Sequence, residues 1–266
     1  MSETLFTAAK ACLDACEADE KVSCTKAAVE AWRAGELAWT EECAAKPIGE
    51  PGRPPGLKLV RPRDLPKRRP TTPEGRAVLY HALTHIEFNA INLAWDAAYR
   101  FRGMPQPFYD DWVRVADEEA YHFTLLRDHL RGLGYDYGDF PGHNGLWEMA
   151  RKTAHDPLIR MALVPRCLEA RGLDVTPGIK ARLLEAGDAD GAALLDIILR
   201  DEIGHVAIGD RWFRFLCTDR DLEPETTYRA LTDEYMKGPL RGPFHQEARR
   251  QAGFSEAELA YLEGVG

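Results

Sequence analysis

Two stretches of this sequence place a carboxylate and an imidazole three residues apart: Glu119-Ala-Tyr-His122 and Glu202-Ile-Gly-His205. On a helix, positions i and i+3 share a face, so each pair can aim one oxygen and one nitrogen donor at a common point. Donors of that mixed kind suit a divalent transition metal. A single pair is weak, because a chain with eight histidines and this many glutamates gives about one by chance. The repeat supplies the weight. Glu87 lies 32 residues before Glu119, and Glu169 lies 33 before Glu202, so the order is Glu, Glu-x-x-His, Glu, Glu-x-x-His. Six ligands follow: Glu87, Glu119, His122, Glu169, Glu202 and His205. Four carboxylates gathered in a core without cations would cost about several kcal/mol each. Two divalent ions would neutralise them formally.

Four helices must carry these residues. Thr72-Pro73-Glu74 opens the first with a cap, a first-turn proline and an acid at the positive end of the dipole. It runs to about Arg102, and its stripe Tyr80, Leu83, Thr84, Glu87, Ile91, Ala94, Trp95, Ala98 carries Glu87 amid apolar neighbours. A charge placed there is costly unless paired or bound to a metal. The second helix, about Gln106 to Leu133, follows a short connection and should pack antiparallel on the first. Its inner stripe is Trp112, Val115, Ala116, Glu119, His122, Phe123 and Leu126. Tyr135 to His155 is long enough for a crossover, with one short helix near Trp147 to Lys152. Asp156-Pro157 opens the third helix, where Pro165, one turn before Glu169, predicts a kink. Thr176-Pro177 then reads as the start of a separate short helix, stopped by Gly187. Asp188 caps the fourth, about Ala189 to Leu216, with Leu195, Ile198, Leu199, Glu202, His205, Val206, Gly209 and Phe213 facing inward.

The remainder reads as additions. Two helices within residues 3–44, one striped by Leu5, Ala8, Ala9, Cys12, Leu13 and Cys16, the other by Ala27, Ala28, Ala31, Trp32 and Trp39, form a cover. Eight prolines between Pro47 and Pro73 give an extended connector. Between Arg53 and Arg69 it is basic: Arg53, Lys58, Arg61, Arg63, Lys67, Arg68 and Arg69 stand against Asp64 alone, which suits either a solvated strap or an anionic ligand such as RNA. Past Thr218, a helix near Pro224 to Met236 and a last one opened by the capping box Ser255/Glu258 complete the chain, around a Gly/Pro-rich run from Lys237 to Phe244. The division is thus 1–46 cover, 47–73 connector, 74–217 four-helix bundle and 218–266 C-terminal extension. No strand pattern is present, so the class is all-α.

Glu118 and Asp201 directly precede the two motif glutamates, about 100° round the helix. From there each could accept a hydrogen bond from the far nitrogen of a metal-bound histidine on a neighbouring helix and fix its ring. His81 and His85 share a face, but Ala82 stands where the zinc-protease helix needs a glutamate, and both read as packing groups. Tyr121 reads as a flank residue.

The chain has 266 residues, 45% hydrophobic and 29% charged, with a net charge of −9. That length can bury a real core, and the balance speaks against a general nucleic-acid coat. No apolar run approaches a membrane span and the first residues lack a signal-peptide pattern, so a cytoplasmic protein is expected. The cysteines (Cys12, Cys16, Cys24, Cys43, Cys167, Cys217) show no Cys-x-x-Cys spacing and read as reduced thiols.

With these residues in place, the sequence resembles the ferritin-like di-iron carboxylate superfamily over about Pro73 to Leu216. His81-Ala-Leu-Thr-His85-Ile-Glu87, Leu168-Glu-Ala-Arg-Gly-Leu-Asp-Val-Thr-Pro177 and Gly242-Pro-Phe are similar to a bacterial ferritin-like family catalogued as domain of unknown function 455. The resemblance implies a ferritin-like four-helix bundle with N- and C-terminal helical additions and the same six metal ligands; it implies no substrate. Two transition-metal ions are expected, iron first, with manganese or a mixed Mn/Fe pair acceptable to the same donors. The function expected is an oxidase or hydroxylase using O2 or peroxide on a small molecule or RNA. Ferroxidase or rubrerythrin-like iron and peroxide handling, and a non-catalytic binding scaffold, stay open beside it. A homo-oligomer is compatible with the sequence.

Overall fold

The computed structural model describes residues 4–39, 45–67, 69–236 and 240–264, which leaves Cys43, Arg68 and Lys237-Gly-Pro239 outside the described residues. It is all-α: among the described residues there is no strand, only two isolated bridges, Thr4 with Ala38 and Leu59 with Gly142. No helix among them is long and apolar enough to cross a membrane. The chain forms two compact units, Met1–Arg151 and Lys152–Gly266.

In the first unit, α1 (Leu5–Asp14) and α2 (Ala18–Arg33) precede the long helices α3 (Pro73–Arg100) and α4 (Gln106–Gly132), and α5 (Gly145–Lys152) follows. Thr72 caps α3, its side chain accepting from the Gly75 amide. The α3/α4 pair is the core of the unit, with α1 laid on α3 and α2 on α4. Every residue of the expected α4 stripe is buried. On α3 burial goes most of the way round, because α1 and the loop carrying Tyr137, Gly138 and His143 occupy sides that α4 leaves.

The inward face of α2 differs from the expected one. Ala27 is exposed, and the buried positions are Ala18, Lys21, Thr25, Ala28 and Val29. Two polar residues lie on the buried face because their bonds are made there. Lys21 Nζ donates to Asn92 Oδ1 and to the Cys12 carbonyl, both at 2.7 Å, and the Trp95 indole N–H donates to Thr25 Oγ1 at 3.0 Å. Apolar periodicity cannot register residues buried by hydrogen bonding. Cys16, expected on the α1 stripe, is exposed beyond the helix end.

Among its described residues the proline-rich connector is largely extended, with a turn at Pro55-Gly56, where Leu57 N–H donates to Pro54 O at 3.0 Å, and a 3-10 turn at Pro62–Asp64. Backbone bonds fasten it down: Gly52 N–H to Leu13 O at 2.7 Å, Val60 N–H to Gly142 O at 2.9 Å and Gly142 N–H to Lys58 O at 3.0 Å. Arg53 is turned inward onto Glu50 and Asn144, whereas Lys58, Arg61, Arg63, Lys67 and Arg69 are exposed.

The second unit opens with α6 (Pro157–Leu163), a π-helical turn over Val164–Glu169, and α7 (Ala170–Glu185), which run as one continuous helical rod. The kink expected from Pro165 is this π turn. The expected break at Thr176-Pro177 does not occur, and Pro177 lies inside α7. One missing N–H is tolerated there because Leu173, Ile179 and Leu183 stay buried as α7 packs on α8 (Ala189–Asp219), and Thr176 Oγ1 donates to the Gly172 carbonyl at 2.8 Å. Then come α9 (Pro224–Tyr235), α10 (Gln246–Gln251), which the sequence reading lacks, and α11 (Glu256–Leu262) with its Ser255/Glu258 capping box formed.

Candidate metal centre

In the first unit Glu87 comes from the middle of α3, and Glu119 and His122 from one face of α4. The α3/α4 packing brings the three together. Each offers a ligand atom within 4.8 Å of the others. The same imidazole nitrogen, His122 Nδ1, stands 3.4 Å from Glu119 Oε2 and 3.7 Å from Glu87 Oε2. All three are buried. Burial by itself would lower the His122 pKa, but the Glu119 and Glu87 carboxylates outweigh it and push it up to about 11. The pocket is therefore one that draws positive charge. Donors bound to one transition metal at about 2.0–2.2 Å cannot lie more than about 4.4 Å apart, so the observed spacing needs only small closure. This buried Glu/His group could hold a metal ion.

The second unit carries the same local geometry. His205 Nδ1 lies 3.7 Å from Glu202 Oε2 on α8, again at i and i+3 and with the same nitrogen turned to the acid. His205 is fully buried, whereas Glu202 is half-buried. Glu169 ends the π turn on the rod that packs against α8. The fit between rod and α8 is close at Gly209, one turn beyond His205. A Cβ there would stand 2.3 Å from Pro165 Cβ, so only glycine permits the approach.

Of the residues flanking the motifs, Asp201 accepts two bonds from the Arg200 guanidinium, Nε at 2.8 Å and Nη2 at 3.0 Å. Glu118 lines a shallow surface pocket with Lys26, Asp117, Tyr121 and Thr124. Tyr121 is exposed. His81 and His85 are buried among aromatic rings away from the carboxylates. His143 O accepts from His85 Nε2–H at 3.0 Å and Tyr137 O–H donates to Nδ1 at 2.8 Å, while Gly138 N–H donates to His81 Nε2 at 3.0 Å. Burial lowers both pKa values to about 4, so both rings are neutral.

Sequence reasoning missed a set of buried arginines in the second unit. Arg166, fully buried on the π turn, pairs with Asp210 at 2.8 Å and Glu258 at 2.5 Å. Arg249 pairs with Asp174 at 2.9 and 2.8 Å. Their partners lie 44 to 92 residues away in sequence, and no local spacing links them.

A family described as "Protein of unknown function (DUF455)" matches residues 14–260, and the chain belongs to that family. A protein of Haemophilus influenzae described as "Uncharacterized protein" is 50% identical over 214 residues, 78% of this chain and 74% of that one. No solved structure matches.

Proposed function

From that membership, which brings no activity with it, we propose that the chain is a ferritin-like di-metal carboxylate protein and an oxidoreductase acting with O2 or peroxide. The observation that carries the reading is the convergence of Glu87 and Glu119 on one nitrogen of His122, with the same Glu-to-Nδ1 arrangement in Glu202 and His205. In this reading the residues 74–217 act as one bundle, with 1–46 and 47–73 as cover and strap and 218–266 as an extension. Glu87, Glu119 and His122 hold one side of the pair, and Glu169, Glu202 and His205 the other.

Iron held by such a mixed oxygen and nitrogen set is stable in both ferrous and ferric states and exchanges electrons with O2. The protein's own contribution is to bind and to exclude. The carboxylates neutralise the charge, and each histidine, committed through Nδ1, leaves Nε2 for an orienting acceptor, the role proposed for Glu118 and Asp201. Phe88, Phe123 and Val206, all buried beside the donors in sequence, keep bulk water away.

The test is oxygen uptake after anaerobic loading with ferrous ion. The wild type should consume O2 rapidly, and His122→Ala should fall to the rate of the same iron in buffer. Equal, slow uptake in both would overturn the oxidoreductase reading.

A further inference from the structure

The second unit contains machinery that the donor set alone does not call for. The helix around Glu169 is gripped on both sides by the C-terminal segment. Three residues before it, Arg166 lies wholly buried between the rings of Phe213 on α8, Tyr228 on α9 and Phe254 before α11, with its guanidinium 4.6, 4.3 and 4.8 Å from the ring centres. Its charge is met by Asp210 and by Glu258, and Glu258 also takes Arg214 at 3.0 Å and the Ser255 amide at 2.9 Å. The Tyr228 hydroxyl donates to the Arg166 backbone carbonyl at 3.2 Å, so side chain and main chain are both held.

Beyond Glu169 the grip continues. Arg171 donates to the Pro243 carbonyl at 3.0 Å, and Asp174 accepts from the His245 amide at 2.9 Å and from the buried Arg249. Phe254 lies against both arginines, 4.8 Å from Arg166 and 4.9 Å from Arg249.

The stretch being held is the one in a rare conformation. In the π turn the Ala170 amide reaches back to Pro165 O, five residues, instead of four. A π turn accommodates one residue more than the α-helix it interrupts, so its relaxation to α would rotate Glu169 by about 100° relative to the helix on one side. A local feature that favours the π form is Pro165, which has no N–H to lose and fits against Gly209. Retaining it takes contacts from elsewhere in the chain, and these come from Tyr228, Glu258, His245 and Arg249.

We propose that the C-terminal segment, acting through the Arg166–Glu258 and Tyr228–Arg166 contacts, is a positioning device that holds the π turn and thereby fixes the direction of the Glu169 carboxylate as a metal ligand. This rests on the di-metal reading above. Glu258 and Tyr228 are positioning residues: they touch the turn and not the donors. Their conjunction also accounts for a fully buried guanidinium, which would be costly as a mere packing group.

The experiment uses the full chain and two volume-conserving variants, Tyr228→Phe and Glu258→Gln. Amide hydrogen exchange of the metal-free proteins is compared over residues 164–171, and Co(II) binding is followed by its visible absorption. In Tyr228→Phe, exchange over 164–171 should quicken about tenfold while α3 and α4 stay unchanged. The Co(II) spectrum should change and affinity for one of two cobalt ions should fall about tenfold, the size expected when a supporting contact to a ligand is lost. Faster exchange with an unchanged cobalt spectrum and affinity would make the contacts merely structural and overturn the proposal. Unchanged exchange and unchanged cobalt binding would overturn it as well. Should Glu258→Gln fail to fold, Tyr228→Phe carries the test, since it removes one hydroxyl. A wild type that binds no Co(II) refutes the di-metal reading itself, an outcome distinct from a wild type that binds two ions as its variants do.

Discussion

At the scale of single residues, the buried histidines divide by what their nitrogens face. His122 and His205 turn Nδ1 to carboxylates, whereas His81 and His85 turn theirs to a tyrosine, a backbone carbonyl and a backbone amide. The first pair attracts cations; the second must stay neutral. That neutrality has a measurable consequence. An unfolded chain takes up a proton at His81 as pH falls below about 6.5, but the folded one does so only near its lowered value of about 4. The stability that neutral His81 contributes is present above pH 6.5 and lost as pH falls toward 4, an effect of about 3 kcal/mol. Urea unfolding at stepped pH should therefore show a shallower acid limb in His81→Gln than in the wild type; parallel limbs would show that His81 is protonated in the folded state. Both kinds of histidine were visible in the sequence, and the separation between them was legible from spacing. His85 lies two residues from Glu87, off its face, while His122 lies three from Glu119, on it. What spacing could not convey is the partner of His85, because Tyr137 and His143 come from a loop more than 50 residues away.

At the scale of elements, long amphipathic helices were the legible part and polar burial the illegible part. α3, α4 and α8 lie where the sequence places them, since each has a long, largely apolar stripe and α3 and α8 also have side-chain caps, Thr72 and Asp188. The inward face of α2 was misjudged because Lys21 and Thr25 are buried through hydrogen bonds to Asn92 and Trp95. Prolines were read unevenly for a related reason. Pro165 distorts its helix, as its missing N–H predicts, but Pro177 is absorbed because the face on either side of it remains packed. The π turn itself depends on a close approach that sequence shows only as a glycine on an inward stripe. Gly209→Ala would drive a methyl group into Pro165, at 2.3 Å without relaxation. A cost of about 1–3 kcal/mol is expected, read as a lowered urea midpoint. An unchanged midpoint would mean that α8 and the π turn separate freely.

At the scale of the whole molecule, the all-helical architecture was evident from the absence of any alternating pattern, and the six candidate ligands from one repeated spacing. The C-terminal grip on the π turn was not, because it is built from arginines whose partners lie far along the chain and whose burial no composition signals. The central proposal is that the six donors Glu87, Glu119, His122, Glu169, Glu202 and His205 hold two ions. Its most direct measurement is the equilibrium count of ferrous ions bound per chain under anaerobic dialysis, in the wild type, Glu119→Ala and Glu202→Ala. The account predicts two ions in the wild type and fewer than two in each variant, although the substitutions lie in different units. Less than one ion per chain in the wild type, or a count indifferent to both substitutions, would contradict it.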